Sequence, residues 1–256
     1  MTKKLVVGNW KANPENLREA RELMAPIKSA LKKLKKVNVV LCPPALFLLA
    51  LSGNGNKQSN ITLGAQDAFW ESSGPYTGQI SATMLRQAGI KYVILGHSEM
   101  RALGETDEMI NRKLRASLGE GLWVILCVGE RTRDQHGFYL KTLKQQVEDA
   151  LRGVNKRQLA GLIVAYEPLW AVGAKRADTP ADFLEQAIFI RKVVSGLAGS
   201  AAAKNLLVFY GGSVSPKNVA DFLTLGQADG LLVGRESLRA DHFIEILKLA
   251  NMVIGK

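Results

Sequence analysis

The chain has 256 residues, of which 47% are hydrophobic and 22% charged. This composition supplies enough apolar surface for a substantial core, which excludes a disordered chain and a disulfide-stapled miniprotein. No solvated linker divides the sequence, so we expect one domain over residues 1–256. The longest apolar stretch, residues 37–51, is interrupted by Asn38 and the Pro43-Pro44 pair, which excludes a membrane span of about 20 apolar residues.

The N-terminal segment and the two cysteines indicate the compartment. The apolar run that follows the first four residues ends after three residues at Gly8, too short for a secretory signal. Cys42 and Cys127 both lie in apolar runs, where cysteine behaves as a small buried hydrophobe in a reducing cytosol. A structural disulfide is the weaker alternative. We therefore expect a cytoplasmic protein.

The chain is basic, with 34 lysines and arginines against 23 acidic residues and a net charge of +11. A field of this size attracts anions, from small phosphate esters to nucleic acid. Lys32, Lys33, Lys35 and Lys36 crowd the end of a predicted helix, where cations complement the helix dipole and face water. No helix-turn-helix, zinc-finger or ribonucleoprotein signature is present. We expect no specific nucleic-acid binding, and a polyanion-binding protein remains a rival interpretation.

Eight short runs of β-branched and aliphatic residues recur along the chain. They are almost continuously apolar, as expected for parallel strands covered by helices on both faces. In chain order the predicted strands are Leu5–Val7, Val37–Cys42, Ile61–Ala65, Tyr92–Leu95, Trp123–Val128, Leu162–Tyr166, Leu206–Tyr210 and Leu231–Val233.

Between these runs the hydrophobic period changes to about 3.6 residues, which indicates helices, as in residues 17–34 and 183–194. Three helix starts are predicted where an N-cap residue precedes proline, at Asn13-Pro14, Thr179-Pro180 and Ser215-Pro216. Eight strand–helix units of about 32 residues each fit a closed (β/α)8 barrel of about 250 residues. An open doubly wound sheet is the alternative.

Polar and charged side chains follow the predicted strands at the point where each strand ends. Asn9 and Lys11 follow the first strand, His97 and Glu99 the fourth, Glu130 the fifth, Glu167 the sixth and Ser213 the seventh. The C-terminal ends of barrel strands form one face, so these residues should converge there. Charge buried at this mouth is costly without a partner. The pattern therefore predicts a functional site.

Five of these strand ends carry short motifs that together resemble the triosephosphate isomerase family. They are Gly-Asn-Trp-Lys at 8–11, Gly-His-Ser-Glu at 96–99, Cys-Val-Gly-Glu at 127–130, Tyr-Glu-Pro-Leu-Trp at 166–170 and Tyr-Gly-Gly-Ser at 210–213. The resemblance spans nearly the whole chain, in the family's order. It implies a TIM barrel and an aldose–ketose isomerase of glycolysis and gluconeogenesis. The reaction would interconvert dihydroxyacetone phosphate and D-glyceraldehyde 3-phosphate through an enediolate.

The resemblance also implies a role for each catalytic residue. Glu167 would be the general base, in a bulky apolar setting that argues against an idle surface carboxylate. His97, as a neutral imidazole at the start of a short helix, would polarise the carbonyl and shuttle protons. Lys11 would supply positive charge and Asn9 a neutral donor for the phosphate and the enediolate. Glu99 would pair with Lys11 and orient it.

Phosphate binding is expected at backbone amides of glycine-rich turns after the last two strands. By the resemblance the donors are Ser213, Gly234 and Arg235, joined by Gly173 when the loop at 168–177 closes. No metal or organic cofactor is implied. The chain departs from the family pattern at Arg235, where glycine is usual, and at residues 174–176, which read Ala-Lys-Arg instead of Thr-Gly-Lys. These departures concern phosphate affinity and loop closure.

Residues 67–79 form a connection longer than the usual 2 to 6 residues of such units. In the family this loop enters a neighbouring subunit. By the resemblance Thr77 is its tip residue and the protein is a homodimer, whereas a flexible surface loop is the alternative. Another phosphate-binding barrel enzyme is the remaining rival for the function, because the fold and the phosphate site recur widely.

Overall fold

The computed structural model describes residues 3–52, 61–134, 136–171 and 178–253. Across these residues eight parallel strands form a closed barrel in which each strand pairs with the next in the chain. The eighth strand closes the ring against the first, with Leu5 opposite Gly230 and Gly8 opposite Val233. The predicted (β/α)8 barrel is confirmed, and the doubly wound sheet is wrong because an open sheet leaves two unpaired edges.

The strands agree closely with the apolar runs of the sequence. Five have the predicted bounds, whereas β7 is one residue shorter at its start, β8 one residue longer, and β1 extends to include Lys4, Gly8 and Asn9. The extension arises because the backbone of β2 pairs with β1 as far as Asn9 and Cys42. The observed strands are β1 Lys4–Asn9, β2 Val37–Cys42, β3 Ile61–Ala65, β4 Tyr92–Leu95, β5 Trp123–Val128, β6 Leu162–Tyr166, β7 Leu207–Tyr210 and β8 Gly230–Val233.

Helices cover the outside of the barrel, two of them after β4 and two after β6. None of the described helices is long and apolar enough to cross a membrane. Single 3-10 turns occur at Gln158–Gly161, Leu169–Ala171 and Arg235–Leu238. The α-helices are α1 Leu17–Leu31, α2 Ala45–Ser52, α3 Ala82–Gln87, α4 Ser98–Ala102, α5 Asp107–Gly119, α6 Tyr139–Leu151, α7 Pro180–Ala198, α8 Ser200–Asn205, α9 Val219–Thr224 and α10 Ala240–Val253.

One of the three predicted helix starts is confirmed and two are wrong. Thr179 caps α7, and its side chain accepts a hydrogen bond from the amide of Asp182. Helix α1 begins at Leu17 and not after Asn13, because Asn16 and Glu19 cap each other: the Asn16 side chain accepts from the Glu19 amide and donates to the Glu19 carboxylate. This reciprocal capping satisfies an otherwise unpaired donor of the first turn.

The third predicted start, at Ser215-Pro216, falls in a turn before α9. Asn218 organises this turn, since its side chain accepts from the amide of Ser215 and donates to the carbonyl of Ser213. The helix itself begins at Val219. The N-cap and proline pattern at Ser215-Pro216 therefore marks the turn that precedes α9 and not the first turn of the helix.

Two apolar layers hold the fold together. One lies between the barrel and its helices, and the other fills the barrel interior with side chains that include Val7, Ile94, Ile163 and Phe209. Cys42 and Cys127 are part of the interior layer, and both are free and buried. Burial raises the pKa of both thiols because removal from water penalises the thiolate. The expectation of small buried cysteines is confirmed.

Candidate active site

A cavity of about 580 Å³ opens at the C-terminal ends of the strands. All strands are parallel, so their C-terminal ends meet at this one end of the barrel. The cavity collects eight of the site residues predicted from the sequence, which come from five different strand ends. They are Asn9, Lys11, His97, Glu99, Glu167, Ser213, Gly234 and Arg235.

Lys11 has a constrained backbone. Its φ is 54°, in the left-handed region that L-residues with side chains rarely occupy. Two neighbours hold this conformation: the amide of Lys11 donates to Asn9 Oδ1 at 3.0 Å, and Gln66 Nε2 donates to the carbonyl of Lys11 at 2.8 Å. Gln66 also donates to the carbonyl of Cys42 at 2.7 Å, which ties it to the end of β2. Gln66 was not recognised from the sequence.

The ammonium group of Lys11 is oriented by Glu99, which follows a different strand. Lys11 Nζ lies 2.5 Å from Glu99 Oε1, as the sequence interpretation expected. Gly234 lies against the same side chain, since a Cβ built there would be 3.3 Å from Lys11 Cε. A side chain at the position after β8 would therefore crowd the Lys11 side chain, whereas glycine leaves room for it.

His97 is the N-cap residue of α4, and the predicted short helix after it is confirmed. Its Nδ1 accepts a hydrogen bond from the amide of Glu99 at 3.2 Å. A nitrogen that accepts a hydrogen bond carries no proton, so the neutral ring has its proton on Nε2. Nε2 lies 3.2 Å from Glu167 Oε1. The proton of the imidazole therefore faces the cavity and the carboxylate.

Glu167 lies directly after β6, and only 8% of its side chain is exposed. Its Oε2 accepts from the amide of Ser98 at 3.2 Å, which fixes the carboxylate against the start of α4. Two glycines make space for this residue. A Cβ at Gly129 would lie 1.9 Å from the Glu167 carbonyl oxygen, and one at Gly211 would lie 3.1 Å from Glu167 Cγ. Both glycines follow strands, which is the signal that identifies them.

The phosphate-binding candidates line the same cavity from the connections that follow β7 and β8. Ser213, Gly234 and Arg235 all line it, and the Arg235 side chain is exposed and makes no ion pair with any described residue. Among the described residues with a side chain, only Lys11 and Gln227 have positive φ, so Arg235 adopts an ordinary backbone conformation. Gly173 and the hinge at 174–176 lie outside the described residues.

Two polar residues near this end, Glu236 and His242, were not recognised as part of the site. Glu236 lines the cavity, and its Oε2 lies 2.5 Å from His242 Nδ1. No sequence motif connects the two residues, although a spacing of six residues across a turn and a helix start permits contact.

The end of β5 leads into a second cluster beside the site. Glu130, predicted to converge with the other strand-end residues, lines a neighbouring cavity of about 330 Å³ instead. Tyr166 OH donates to its Oε1 at 2.8 Å. Burial raises the pKa of Glu130, although the Tyr166 hydrogen bond opposes the shift. Burial and repulsion from Asp182 also raise the pKa of Asp178, to about 7. The Glu130 carboxyl group is near enough to contribute to the raised pKa of Asp178.

Thr77 lies away from the chain's own cavity, in an exposed excursion between β3 and α3. The base of this excursion is closed by backbone hydrogen bonds, from the Phe69 amide to Ile80 and from the Ala82 amide to Phe69. Phe69 also contacts the ring of Tyr76, with ring centroids 4.7 Å apart. The long connection is therefore a closed projection with its own internal contacts.

Comparison with known proteins agrees with this geometry. The family model described as triosephosphate isomerase matches residues 4–250. The triosephosphate isomerase of Geotalea uraniireducens is 40% identical over 253 residues, which cover 98% of this chain and all of that protein. The triosephosphate isomerase of Moorella thermoacetica is 41% identical over 249 residues, covering 96% of this chain and 98% of that protein. That of Dehalococcoides mccartyi strain BAV1 is 39% identical over 254 residues, 98% of each chain. The chain therefore belongs to the triosephosphate isomerase family.

Proposed function

We propose that the protein interconverts dihydroxyacetone phosphate and D-glyceraldehyde 3-phosphate in glycolysis and gluconeogenesis. The observation that carries the proposal is the convergence of a buried carboxylate, an imidazole and an ammonium group on one cavity, with Glu167 Oε1 3.2 Å from His97 Nε2. A carbon-to-carbon proton shift needs a base, a donor for the adjacent carbonyl and positive charge near the enediolate. The cavity holds one group of each kind.

Glu167 is the general base that removes the proton from carbon. Its carboxylate is held by the amide of Ser98 at 3.2 Å and lies at the wall of the cavity. A base fixed in this way needs little reorganisation before it reacts, and positioned proton transfer contributes about 10²- to 10⁴-fold to a rate. The same carboxylate returns the proton to the neighbouring carbon.

His97 donates from Nε2 to the substrate oxygens, because the Glu99 amide occupies Nδ1. Substrate would enter between this ring and Glu167, which now contact each other directly. Lys11, oriented by Glu99, supplies the charge that stabilises the enediolate, and Asn9 adds a neutral donor. Removal of one such preorganised group costs about 10²- to 10³-fold in rate. Neither a metal nor an organic cofactor is required by this chemistry.

The phosphate group is held at the end of the cavity formed after β7 and β8. Ser213, Gly234 and Arg235 contribute backbone amides, and Gly173 is proposed to join them from the segment after Glu167. The exposed guanidinium of Arg235 adds a cation that glycine would not provide. We expect it to affect substrate binding more than the chemical step.

We further propose that residues 1–256 act as a single catalytic domain in the cytoplasm and that two copies associate as a homodimer. Thr77 would lead the projecting segment of each copy toward the Asn9 and Lys11 region of the partner subunit. The exposed position of this segment supports the proposal. Light scattering coupled to gel filtration tests it, with twice the 27.9 kDa chain mass expected and the mass of one chain contradicting it.

A coupled assay of triose phosphate turnover tests the proposed reaction. Wild type should turn over the substrate, and Glu167→Gln should lower kcat by about 10²- to 10⁴-fold, because an amide cannot accept the proton. Glu245→Gln, which changes an exposed glutamate of α10, is the matched control and should retain full activity. Equal rates for wild type and Glu167→Gln would refute the assignment of the base.

A further inference from the structure

The positive charge of the chain is concentrated at the end of the barrel opposite the candidate active site. The described segments that lead into the strands are 3–4, 32–36, 88–91, 120–122, 152–161, 199–206 and 225–229. They carry only two acidic residues, Glu120 and Asp229, against eleven basic ones. The basic residues are Lys3, Lys4, Lys32, Lys33, Lys35, Lys36, Lys91, Arg152, Lys156, Arg157 and Lys204. We call this end of the barrel the basic face.

The negative charges of the basic face are engaged, whereas most of the positive ones are free. Glu120 accepts from Thr83 Oγ1, and Asp229 pairs with Arg191 at 2.6 Å. All but two of the eleven basic side chains are exposed and have no hydrogen bond or ion pair with any residue that the structure describes. The two exceptions are Lys4 and Arg152. The free cations are thus available to an external anion.

The candidate active-site end is evenly balanced. The segments that connect each strand to its next helix hold eight acidic and six basic residues among those described, and the sequence adds Lys175 and Arg176 to the basic ones. The excess of basic residues in the chain therefore does not lie in the segments around the cavity. The excess of basic residues at the opposite end of the barrel therefore needs another explanation.

An aromatic pair lies within the basic face. Tyr92 and Trp123 are the first residues of β4 and β5, and their rings stack with centroids 6.1 Å apart and an angle of 26° between planes. Trp123 is 37% exposed, and its amide donates to the carbonyl of Lys91 at 2.8 Å. This hydrogen bond places the backbone of Trp123, which carries an accessible indole, beside that of Lys91.

We propose that the basic face binds single-stranded nucleic acid. Exposed lysines neutralise backbone phosphates, and an aromatic ring fixed among them gives a base a surface on which to stack. Every base has an aromatic face, so this recognition does not depend on sequence and needs no nucleic-acid-binding motif. Binding at this end leaves the cavity at the other end open, and the two activities are independent.

Fluorescence anisotropy with a fluorescein-labelled 20-nucleotide poly(U) RNA, titrated between 50 and 300 mM KCl, tests the proposal. The variant K32Q/K33Q/K35Q/K36Q removes four exposed cations of the basic face. Each lost phosphate contact lowers the slope of log K against log salt by about 0.7, so the slope should fall by up to about 3. Affinity at 50 mM KCl should fall at least about tenfold. Trp123→Ala should weaken binding about 5- to 100-fold with little change in slope.

The matched control R18Q/R21Q/K141Q/K217Q removes the same net charge from exposed residues outside the basic face. It should bind RNA with the wild-type slope, and both quadruple variants should retain isomerase activity, which verifies their folding. Glu167→Gln should bind RNA as wild type does. Three results would each overturn the proposal. They are no saturable RNA binding at 50 mM KCl, an equal loss of RNA affinity in the control variant, and binding to phosphatidylglycerol vesicles that is tighter than binding to RNA and is unchanged by Trp123→Ala.

Discussion

The buried carboxyl group of Asp178 should make the protein less stable as the pH rises toward neutrality. Both of its oxygens are buried, and the backbone amide of Thr179 compensates only in part for the lost hydration. Burial and the nearby Asp182 carboxylate raise the pKa of Asp178 from 3.8 to about 7, and Arg133 opposes the shift only in part. We therefore expect Asp178→Asn to stabilise the protein at pH 8, because the variant has no charge to bury.

The sign and the size follow from proton linkage. The native state holds the proton more tightly than the unfolded chain, so the destabilising effect of Asp178 is absent below about pH 4, grows as the pH rises, and is complete above about pH 7. A shift of about three pKa units corresponds to at most about 4 kcal/mol, at about 1.4 kcal/mol per unit. Between pH 5 and pH 8 the advantage of Asp178→Asn should grow by about 2 to 3 kcal/mol.

Urea unfolding followed by circular dichroism at pH 5, 6, 7 and 8 measures this difference. Asp221→Asn, at an exposed aspartate of α9, is the control, and its difference from wild type should stay constant over the same range. A constant difference for Asp178→Asn, or a variant less stable than wild type at pH 8, would refute the reasoning.

Three further substitutions test other parts of the structure. Lys113→Met leaves Glu105, whose side chain is 2% exposed, without its cation, so urea unfolding should show a loss of about 3 kcal/mol; a change below about 1 kcal/mol would contradict this. Gly129→Ala would place a Cβ 1.9 Å from the carbonyl oxygen of the proposed base, so kcat should fall at least about tenfold, whereas wild-type kcat would show that the backbone adapts freely. His242→Ala releases the Glu236 carboxylate toward the phosphate end of the cavity. KM should therefore rise about threefold to tenfold with kcat little changed, and the double variant with Glu236→Gln should restore KM. A kcat loss without a KM change would contradict that account.

The barrel was predictable because its signal is local and strong. Fully buried parallel strands must be apolar over their whole length, so runs such as those at 123–128 and 162–166 gave their own bounds. Helix starts were less predictable. Proline after a polar residue suits a turn as well as a first helical turn, and at Asn16 the capping contact with Glu19 decided where α1 begins.

The members of the candidate site were predictable where the parallel topology alone brings the residues after different strands to one end of the barrel. Asn9, Lys11, His97 and Glu167 come together because all parallel strands finish at the same face. The support given by Gln66, the pairing of Glu236 with His242 and the burial of Asp178 depend on side-chain packing between distant segments. Composition and motif spacing do not determine such packing. The concentration of basic residues at one end of the barrel could be recognised only once the strand topology was known.

The most direct test of the account is solvent hydrogen exchange, because it follows the proton that Glu167 is proposed to move. Dihydroxyacetone phosphate is incubated with enzyme in D2O, and deuterium at the carbon that loses its proton is measured by NMR. Wild type should incorporate deuterium at that carbon at a rate comparable to isomerisation, and Glu167→Gln should lower the exchange and isomerisation rates together by about 10²- to 10⁴-fold. Exchange at the wild-type rate in Glu167→Gln would contradict the central claim, since another group would then be the base.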